Sequence, residues 1–563
     1  MSKFDYSRRR TREVAVGSTA IGGDNPVRLQ SMASTSTMDT EGSVAQGRRI
    51  VEAGAELLRF TAQGVREAEN LGVIRSRLRD AGINVPLVAD IHFNPRAAFA
   101  AASQVEKVRI NPGNFVDPGR TFRKIDYTDA EYARELERLE ETLVKFLDVC
   151  RENNTAIRLG VNHGSLSDRI MSRYGDTPAG MVESAMEFLR VCRKVGFDRV
   201  VISIKASNVV VMVTTVNLLV RAMEAEGMDF PLHLGVTEAG DGEDGRVKSA
   251  VGIGSLLLDG IGDTIRVSLS EEPELELPVA RRIMDRVDRV AQAPAIDAEW
   301  NPAYNIGCNP RRQSKAIGNV GGKNQPVVAA SDSHADYAEG TRPDIFTDST
   351  NLKLREVTAD EVLAGEFKPA ADEVIMLTTN HPNTRGHLLA AMHRLTLDGV
   401  DNPVIFKTNY NGLSADDVRV AAAMDLGALL LAGFADGIMI ETDALTSSET
   451  ARLAFGILQS ARLRFTRTEY ISCPSCGRTL FDLQTTLARV KEATSHLKGL
   501  KIGVMGCIVN GPGEMADADY GYVGAASGKV SLYKGKECVE KNIPTEEAVE
   551  HLVNLIKRCG DWK

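Results

Sequence analysis

The chain has 563 residues, of which 43% are hydrophobic and 25% are charged, which predicts a folded protein of about three domains. Its formal net charge of -9 argues against general binding to nucleic acids or anionic membranes. The sequence has no apolar run long enough to span a membrane, no secretory signal after its basic N-terminal cluster, and too few cysteines for a disulfide scaffold, so we expect a cytoplasmic protein.

Short apolar segments rich in β-formers alternate with helical segments in the first half of the chain. Those segments begin at Val27, Glu56, Val85, Lys107, Ala156, Arg199, Pro231 and Asp263. Eight strand-helix units in about 270 residues predict an N-terminal (β/α)8 TIM barrel over residues 1–270. A doubly wound open sheet is the alternative, and the lack of a Gly-x-Gly-x-x-Gly motif after the first strand counts against it.

Basic side chains recur near the ends of the predicted barrel strands. They are Arg59, Arg109, Arg158, Lys205 and Arg266. The C-terminal strand ends of a parallel barrel share one rim, so these cations should converge, which like charges do only around an anion. Arginine binds phosphate oxygens in pairs, and Ser268, Asn111 and Asn162 add neutral donors, so we predict a phosphate or diphosphate site.

The same rim carries titratable groups that suit acid-base chemistry. Asp90 and His92 lie in the segment VADIHF, and Thr237 and Glu238 lie in GVTEAG. A carboxyl group beside a phosphate has a raised pKa, as a general acid requires. The alternative is that Asp90 or Glu238 only neutralises the arginine cluster.

The segment 271–449 is predicted to be an inserted α/β domain, barrel-like in form. Its apolar runs include PVVAAS, EVIMLTT, NPVIFKTNY, GALLLAG and DGIMIE, with helical stretches between them. It lacks a cation at each strand end, and its histidines form no zinc motif, so we interpret it as a spacer. The amphipathic segment 450–466 is expected to be the helix that closes the first barrel.

Three cysteines in the tail, residues 467–563, form a candidate metal site. Cys473 and Cys476 are two residues apart, and Cys507 lies in MGCIVNGPGE, which ends at Glu514. A structural zinc needs four ligands, and Cys538 could supply the fourth, although no second Cys-x-x-Cys is present. An iron-sulfur cluster is the other reading, with the Gly-Pro-Gly turn folding Glu514 back as a hard, exchangeable ligand.

A set of short motifs resembles the IspG/GcpE family of 4-hydroxy-3-methylbut-2-enyl diphosphate synthases. In chain order they are QSMAST, VADIHF, RINPGN, GVN, IKAS, GVTEAG, IGDTIRVSL, ISCPSC and MGCIVNGPGE. They fall within about 1–270 and 450–563, so the insert makes the chain similar to the three-domain form of the family. The resemblance implies a TIM barrel, a middle α/β domain and a C-terminal α+β iron-sulfur domain.

The resemblance also implies an activity in the non-mevalonate (MEP) pathway of isoprenoid and terpenoid biosynthesis. An oxidoreductase of this family opens 2-C-methyl-D-erythritol 2,4-cyclodiphosphate with two electrons and forms 4-hydroxy-3-methylbut-2-enyl diphosphate. It implies a [4Fe-4S] cluster held by Cys473, Cys476, Cys507 and Glu514. It further implies a catalytic pair, Thr237 and Glu238, and a diphosphate site made of Arg59, Arg109, Arg158, Lys205, Arg266 and Ser268, with Asn162 and His92 nearby.

Partners and rival functions follow from the same reading. The chain has no flavin or nicotinamide motif, so an external electron carrier such as ferredoxin or flavodoxin is implied. In two-domain family members the tail caps the barrel of a dimer partner, and the sequence leaves open whether this chain forms a homodimer or caps its own barrel. The rivals are a phosphate-binding TIM-barrel transferase with a structural zinc site, and a non-catalytic binding scaffold.

Overall fold

The computed structural model describes residues 2–117, 126–338, 340–434, 436–509, 511–515 and 517–563. The chain divides into two compact units. One consists of residues 10–242, 262–281 and 468–563, and the other of residues 1–9, 243–261 and 282–467. Among the described residues, no helix is both long enough and apolar enough to cross a membrane.

The first ten strands are β1 (Val14–Val16), β2 (Thr19–Ile21), β3 (Arg28–Met32), β4 (Leu57–Ala62), β5 (Leu87–Ile91), β6 (Lys107–Ile110), β7 (Ala156–Asn162), β8 (Val200–Lys205), β9 (His233–Leu234) and β10 (Thr264–Ile265). Strands β1 and β2 form an antiparallel hairpin. The other eight pair in parallel in the order β8-β7-β6-β5-β4-β3-β10-β9, and a bridge between Ile202 and Leu232 joins the two ends. This near-closed sheet confirms the predicted TIM barrel, with its eight strands where the apolar segments placed them.

The helices that accompany these strands are α1 (Thr40–Glu52), α2 (Val65–Asp80), α3 (Pro95–Ala102), α4 (Asp129–Glu152), α5 (Asp168–Tyr174), α6 (Pro178–Lys194), α7 (Val209–Ala225), α8 (Gly242–Leu258) and α9 (Glu276–Ala291). Helix α4 begins at a capping box, because the Thr128 hydroxyl accepts from the Glu131 N–H and the Glu131 carboxylate accepts from the Thr128 N–H. Its buried side chains recur at helical spacing, as the sequence predicts.

The middle segment forms a second parallel sheet. Its strands are β11 (Val327–Ala330), β12 (Ile345–Phe346), β13 (Lys353–Thr358), β14 (Glu373–Thr378), β15 (Val404–Asn409) and β16 (Gly437–Glu441). Its helices are α10 (Ala359–Leu363), α11 (Thr384–Leu397), α12 (Ala415–Leu431) and α13 (Ser447–Ser460). The order β12-β11-β16-β15-β14-β13 is that of a barrel opened between β12 and β13, so the sheet is barrel-like, as expected.

Two details of this segment differ from the sequence analysis. The run GALLLAG lies mostly in helix α12, and its helical residues are all apolar and buried, so the run itself shows no helical period. Helix α13 covers most of the segment 450–466, which we expected to close the first barrel. Its neighbours are β11, β16 and α12, and the helix that directly follows the last barrel strand in the chain is α9. An amphipathic pattern shows that a helix covers a sheet but does not show which one.

The tail forms the α+β domain that the sequence predicts. Its strands are β17 (Glu469–Ser472), β18 (Lys501–Met505), β19 (Tyr520–Ala526), β20 (Lys529–Lys534) and β21 (Glu537–Pro544). Its helices are α14 (Leu483–Thr494), the single turn α15 (Gly511–Glu514) and α16 (Ala548–Arg558). The first three strands are parallel and the last two run antiparallel to their neighbours. Apolar side chains of α14 and α16 share one core with those of β18, β19 and β20.

A buried ion pair joins two helices of the barrel. Arg169 on α5 donates to both carboxylate oxygens of Glu187 on α6, at 2.6 and 2.7 Å, and pairs with Asp117 at 3.2 Å. The Tyr132 hydroxyl also donates to Glu187. Burial raises the pKa of Glu187, although Arg169 opposes that shift. The carboxylate therefore depends on Arg169 for compensation of its charge.

We expect Arg169→Gln to lower the free energy of unfolding by about 3–5 kcal/mol, because it leaves the Glu187 charge buried and unpaired. A carboxyl group whose pKa is raised by folding destabilises the folded protein as the pH rises through that pKa. The free energy of unfolding lost in Arg169→Gln should therefore be larger at mildly alkaline than at mildly acidic pH. Denaturant unfolding at the two pH values measures this, with Arg134→Gln, an exposed arginine of α4, as the control. An equal deficit at both pH values would contradict the account.

Candidate active site

Five basic side chains surround one cavity at the C-terminal ends of the barrel strands. They are Arg59 on β4, Arg109 on β6, Arg158 on β7, Lys205 on β8 and Arg266 just after β10. All five are buried, and Arg109 and Arg158 are only 2% and 1% exposed. The structure thus brings together the cations that the sequence places at equivalent strand ends.

Asp90, at the end of β5, compensates part of this charge. Its carboxylate pairs with Arg59 at 2.8 Å, with Arg109 at 3.3 Å and with Arg478 of the tail at 3.2 Å. Burial alone would raise the pKa of Asp90, but these arginines hold it well below its usual range. Asp90 therefore stays ionised, which favours the reading that it neutralises the cluster over the reading that it is an acid.

The remaining cations are less well compensated. Arg266 pairs with Glu276 at 2.9 Å, and Arg158 donates to the Ser203 hydroxyl at 2.6 Å. Among the described residues, the Nε and Nη2 atoms of Arg158 and the Nε atom of Arg59 are buried with no hydrogen-bond partner. Burial and the neighbouring Arg158 lower the pKa of Lys205. Unpaired buried donors and mutual repulsion both favour an anion in this cavity.

Most of the uncharged residues predicted to contact the substrate line the cavity, but Asn111 does not. Asn162, His92, Thr237 and Ser268 line the cavity. Arg109 donates to the Asn162 side-chain oxygen at 2.8 Å and contacts His92 Nε2. Asn111 is not among the described residues that line the cavity. Its side chain instead donates to Ser165 at 3.1 Å and accepts from the Gly113 N–H at 3.0 Å, so it holds the loop that follows β6.

The three tail cysteines line the same cavity, opposite the cations. Strand β17 ends at Ser472 and its parallel neighbour β18 ends at Met505, so Cys473 and Cys507 leave the sheet at the same edge. The Cys473 sulfur accepts from the Gly506 N–H at 3.3 Å. Burial raises the pKa of the Cys473 and Cys507 thiols, and each lies close enough to Cys476 to interact with its charge.

The tail rests directly on the rim of the barrel. Ser472 forms a parallel bridge with Ala239, the residue after Glu238. The Ser270 hydroxyl lies 2.7 Å from the Ser472 hydroxyl and donates to the Cys473 carbonyl at 2.9 Å. One chain therefore supplies both the cysteines of this cavity and its five basic side chains, which we call the cation ring.

The turn Gly511–Glu514 brings a carboxylate back to the cavity. Asn162 donates to the Glu514 carboxylate, and the Ser207 hydroxyl donates to the Glu514 carbonyl at 3.3 Å. Glu238 is buried, and its backbone has a left-handed conformation with a φ of 47°, which is rare for a residue with a side chain. Burial raises the pKa of Glu238 well above its usual range, and a hydrogen bond with the Glu514 carboxyl adds to that shift. The two carboxyl groups thus face each other at the junction of barrel and tail.

Comparisons with known proteins agree with this arrangement. The sequence matches the model of the GcpE TIM-barrel domain over residues 11–281 and that of the GcpE protein C-terminal domain over residues 469–558. The chain is a member of the GcpE family. This confirms the family resemblance that the motifs indicate.

Curated relatives match this GcpE-family chain along its whole length, including the middle segment. A 4-hydroxy-3-methylbut-2-en-1-yl diphosphate synthase (flavodoxin) from Parabacteroides distasonis is 54% identical over 609 residues, covering 100% of each chain. A protein of the same name from Leptospira interrogans is 41% identical over 652 residues, covering 100% of this chain and 98% of that one. Among solved structures, a dihydropteroate synthase from Xanthomonas albilineans is 17% identical with a TM-score of 0.32, covering 49% of this chain and 98% of that one.

The donor set of the GcpE-family chain fits an iron-sulfur cluster in its chemistry. Three thiols and the Glu514 carboxylate line one buried cavity, and soft thiolates are the ligands that such clusters use. In the part of the chain that the structure describes, no three His, Cys, Asp or Glu side chains are grouped as ligands of a metal ion. Cys538, the candidate fourth zinc ligand, lies on β21 and is not among the described residues that line this cavity.

Two residues of the site were missed by the sequence analysis. Glu276 pairs with Arg266 from the start of α9, and Arg478 follows the Cys-x-x-Cys segment. The position of Glu276, an acidic residue at the start of the helix that follows the last barrel strand, could have indicated its role. Nothing in the sequence indicates that Arg478 reaches Asp90, because 388 positions separate them.

Gly164 allows the barrel and the tail turn to approach closely. Its φ is 81°, and a Cβ atom there would overlap the carbonyl oxygen of Gly513. Gly196 has a similar φ of 65° but has open space around it. A substitution at either glycine strains the backbone, but only one at Gly164 also disturbs a tight contact, so comparing the two distinguishes these effects.

We expect Gly164→Ala to displace the Gly511–Glu514 turn and to lower turnover by about 100-fold, the usual cost of misplacing a group by about 1 Å. Gly196→Ala should cost only the strain of a left-handed alanine, about 1–2 kcal/mol of stability, with turnover unchanged. Steady-state kinetics and thermal unfolding of both variants measure the difference. Equal turnover in the two variants would show that the close approach is unimportant.

Proposed function

We propose that the chain is an iron-sulfur oxidoreductase that converts 2-C-methyl-D-erythritol 2,4-cyclodiphosphate to 4-hydroxy-3-methylbut-2-enyl diphosphate in isoprenoid biosynthesis. Opening the ring and removing one oxygen as water consumes two electrons and two protons. The proposal is supported above all by the single cavity that is lined by buried cations on one side and by three thiols and a carboxylate on the other. The names of the full-length relatives support the same activity.

The cation ring would bind the diphosphate. Arg59, Arg109, Arg158, Lys205 and Arg266 offer buried positive charge, and Ser268 adds a hydroxyl. Arginine donors pair with phosphate oxygens two at a time, so the ring would fix the orientation of the substrate as well as its position. Asn162 and His92 would contact the substrate from beside Arg109. We assign Asn111 a structural role because its side chain is engaged in the loop after β6.

Glu238 would supply a proton to the reacting end of the substrate. Its carboxyl group is buried, and burial raises its pKa well above the usual range, the direction that suits a general acid. Thr237 hydrogen-bonds to it and would hold its orientation.

Cys473, Cys476, Cys507 and Glu514 would hold a [4Fe-4S] cluster. When bound, such a cluster supplies single electrons and an iron with an exchangeable carboxylate ligand. Asn162 donates to the Glu514 carboxylate and would orient it.

The remaining parts of the proposal concern partners and organisation. An external carrier, flavodoxin or ferredoxin, would deliver the electrons, and the relatives are named for flavodoxin. Residues 1–270 would bind the substrate, residues 467–563 the cluster, and residues 271–449 would serve as a spacer. One chain supplies both halves of the cavity, so activity would not require a homodimer. We propose the cytoplasm as its location.

Anaerobically purified protein is expected to contain about four irons and four sulfides per chain, the composition of one [4Fe-4S] cluster. Cys507→Ser should lose most of both, because one thiolate ligand is removed, whereas Cys538→Ser should keep them. Iron and sulfide analysis and EPR of the reduced protein, with and without the cyclodiphosphate, provide the readout. A protein that binds only zinc under these conditions would return the chain to the transferase reading.

We expect Glu238→Gln to lower kcat by about 10²–10⁴-fold, because the amide keeps the shape of the side chain but cannot donate an acidic proton. The diphosphate contacts remain, so the affinity for substrate should change little. Turnover with a chemical reductant and substrate binding by calorimetry separate the two effects, with the exposed Glu546→Gln as control. Full turnover in Glu238→Gln would exclude Glu238 as the proton donor.

A further inference from the structure

Arg478 is a buried arginine of the tail with no place in the mechanism so far. It lies two residues after Cys476, and its side chain is only 6% exposed. Its Nη2 atom lies 3.2 Å from Asp90, which is fully buried at the end of barrel strand β5. Arg478 therefore joins the cysteine loop of the tail to the carboxylate that also pairs with Arg59 and Arg109.

The same side chain shares a cavity with the thiols. Arg478, Cys476 and Cys507 all line it. An arginine side chain stays protonated at any accessible pH, and the Asp90 carboxylate 3.2 Å away balances part of its charge. Arg478 is therefore a permanent cation between the cysteines and the anion-binding ring.

The loop around Arg478 fits tightly against the barrel. A Cβ atom on Gly477 would lie 2.7 Å from both the Thr35 carbonyl oxygen and the Thr61 hydroxyl. On the tail side, the Thr479 hydroxyl accepts from the Cys476 N–H at 3.0 Å. The loop is thus held against the barrel at Gly477 and within the tail by the hydrogen bond between Thr479 and Cys476. Arg478 supplies the charged contact between the loop and the barrel.

We propose that Arg478 is a positioning residue that seats the Cys473–Cys476 loop on the barrel through Asp90 and holds a positive charge beside Cys476 and Cys507. The second half of this inference rests on the proposed function, because it needs the thiolates to hold the cluster. A fixed positive charge beside thiolate ligands favours the more reduced, more negative form of the cluster and so raises its reduction potential. Because Asp90 binds Arg59, Arg109 and Arg478 together, the anion site and the cysteine loop are held by one carboxylate.

Hydrogen exchange of the metal-free full chain tests the seating. In Arg478→Gln, and separately in Asp90→Asn, backbone amides of residues 473–480 should exchange faster than in the wild type. The double variant should exchange no faster than Arg478→Gln in this loop, because both changes remove the same contact. Arg489→Gln, at an exposed arginine of α14, is the matched control and should exchange like the wild type. Wild-type exchange in Arg478→Gln would overturn the proposal.

Redox titration of the reconstituted protein, followed by EPR, tests the charge. The midpoint potential should shift to more negative values in Arg478→Gln and stay near the wild-type value in Arg478→Lys, which keeps the charge, and in Arg489→Gln. An unchanged potential in Arg478→Gln would overturn this half of the proposal. If the wild type itself binds no iron and sulfide, the proposed function and the electrostatic half fail together, while hydrogen exchange still decides the seating.

Discussion

Asp90 binds three arginine side chains in a space that excludes water, and the site is built around this contact. Two of the arginines, Arg59 and Arg109, belong to barrel strands, and the third, Arg478, belongs to the tail. One buried carboxylate cannot balance three cations, and the nearby Arg158 and Lys205 add to the excess. An anionic substrate would lower the free energy of this arrangement, whereas an apolar or cationic ligand would raise it.

The geometry of parallel sheets explains why two kinds of chemistry meet in one cavity. Parallel strands present all their C-terminal ends at one edge, in the barrel as in the first strands of the tail sheet. In the barrel that edge carries the cations, and in the tail it carries Cys473 and Cys507. The bridge between Ala239 and Ser472 brings the two edges together, so that Glu238 and Glu514 face each other.

Close packing at this junction depends on a few small residues and on strained backbone. Gly164 admits the Gly511–Glu514 turn, and Gly477 admits the cysteine loop. Glu238 and Ser475 have positive φ values of 47° and 33°, which side-chain-bearing residues seldom adopt. Such strain is maintained only where surrounding contacts compensate for it, and beside Glu238 the bridge between Ala239 and Ser472 joins the tail to the barrel.

The sequence by itself determined the barrel, the tail domain and the identity of the rim cations, because short apolar runs rich in β-formers, a period of 3.6 in the helices and charges at strand ends are local patterns. It did not place helix α13, whose apolar face fits any sheet, nor helix α12, which is buried on nearly all sides. It selected Asn111 for its position at a strand end, although the side chain turns into its own loop. Only the tertiary structure decided three contacts: Arg478 with Asp90, Glu276 with Arg266, and Glu238 with Glu514. Such contacts depend on how whole elements pack, and no local pattern in the sequence records that packing.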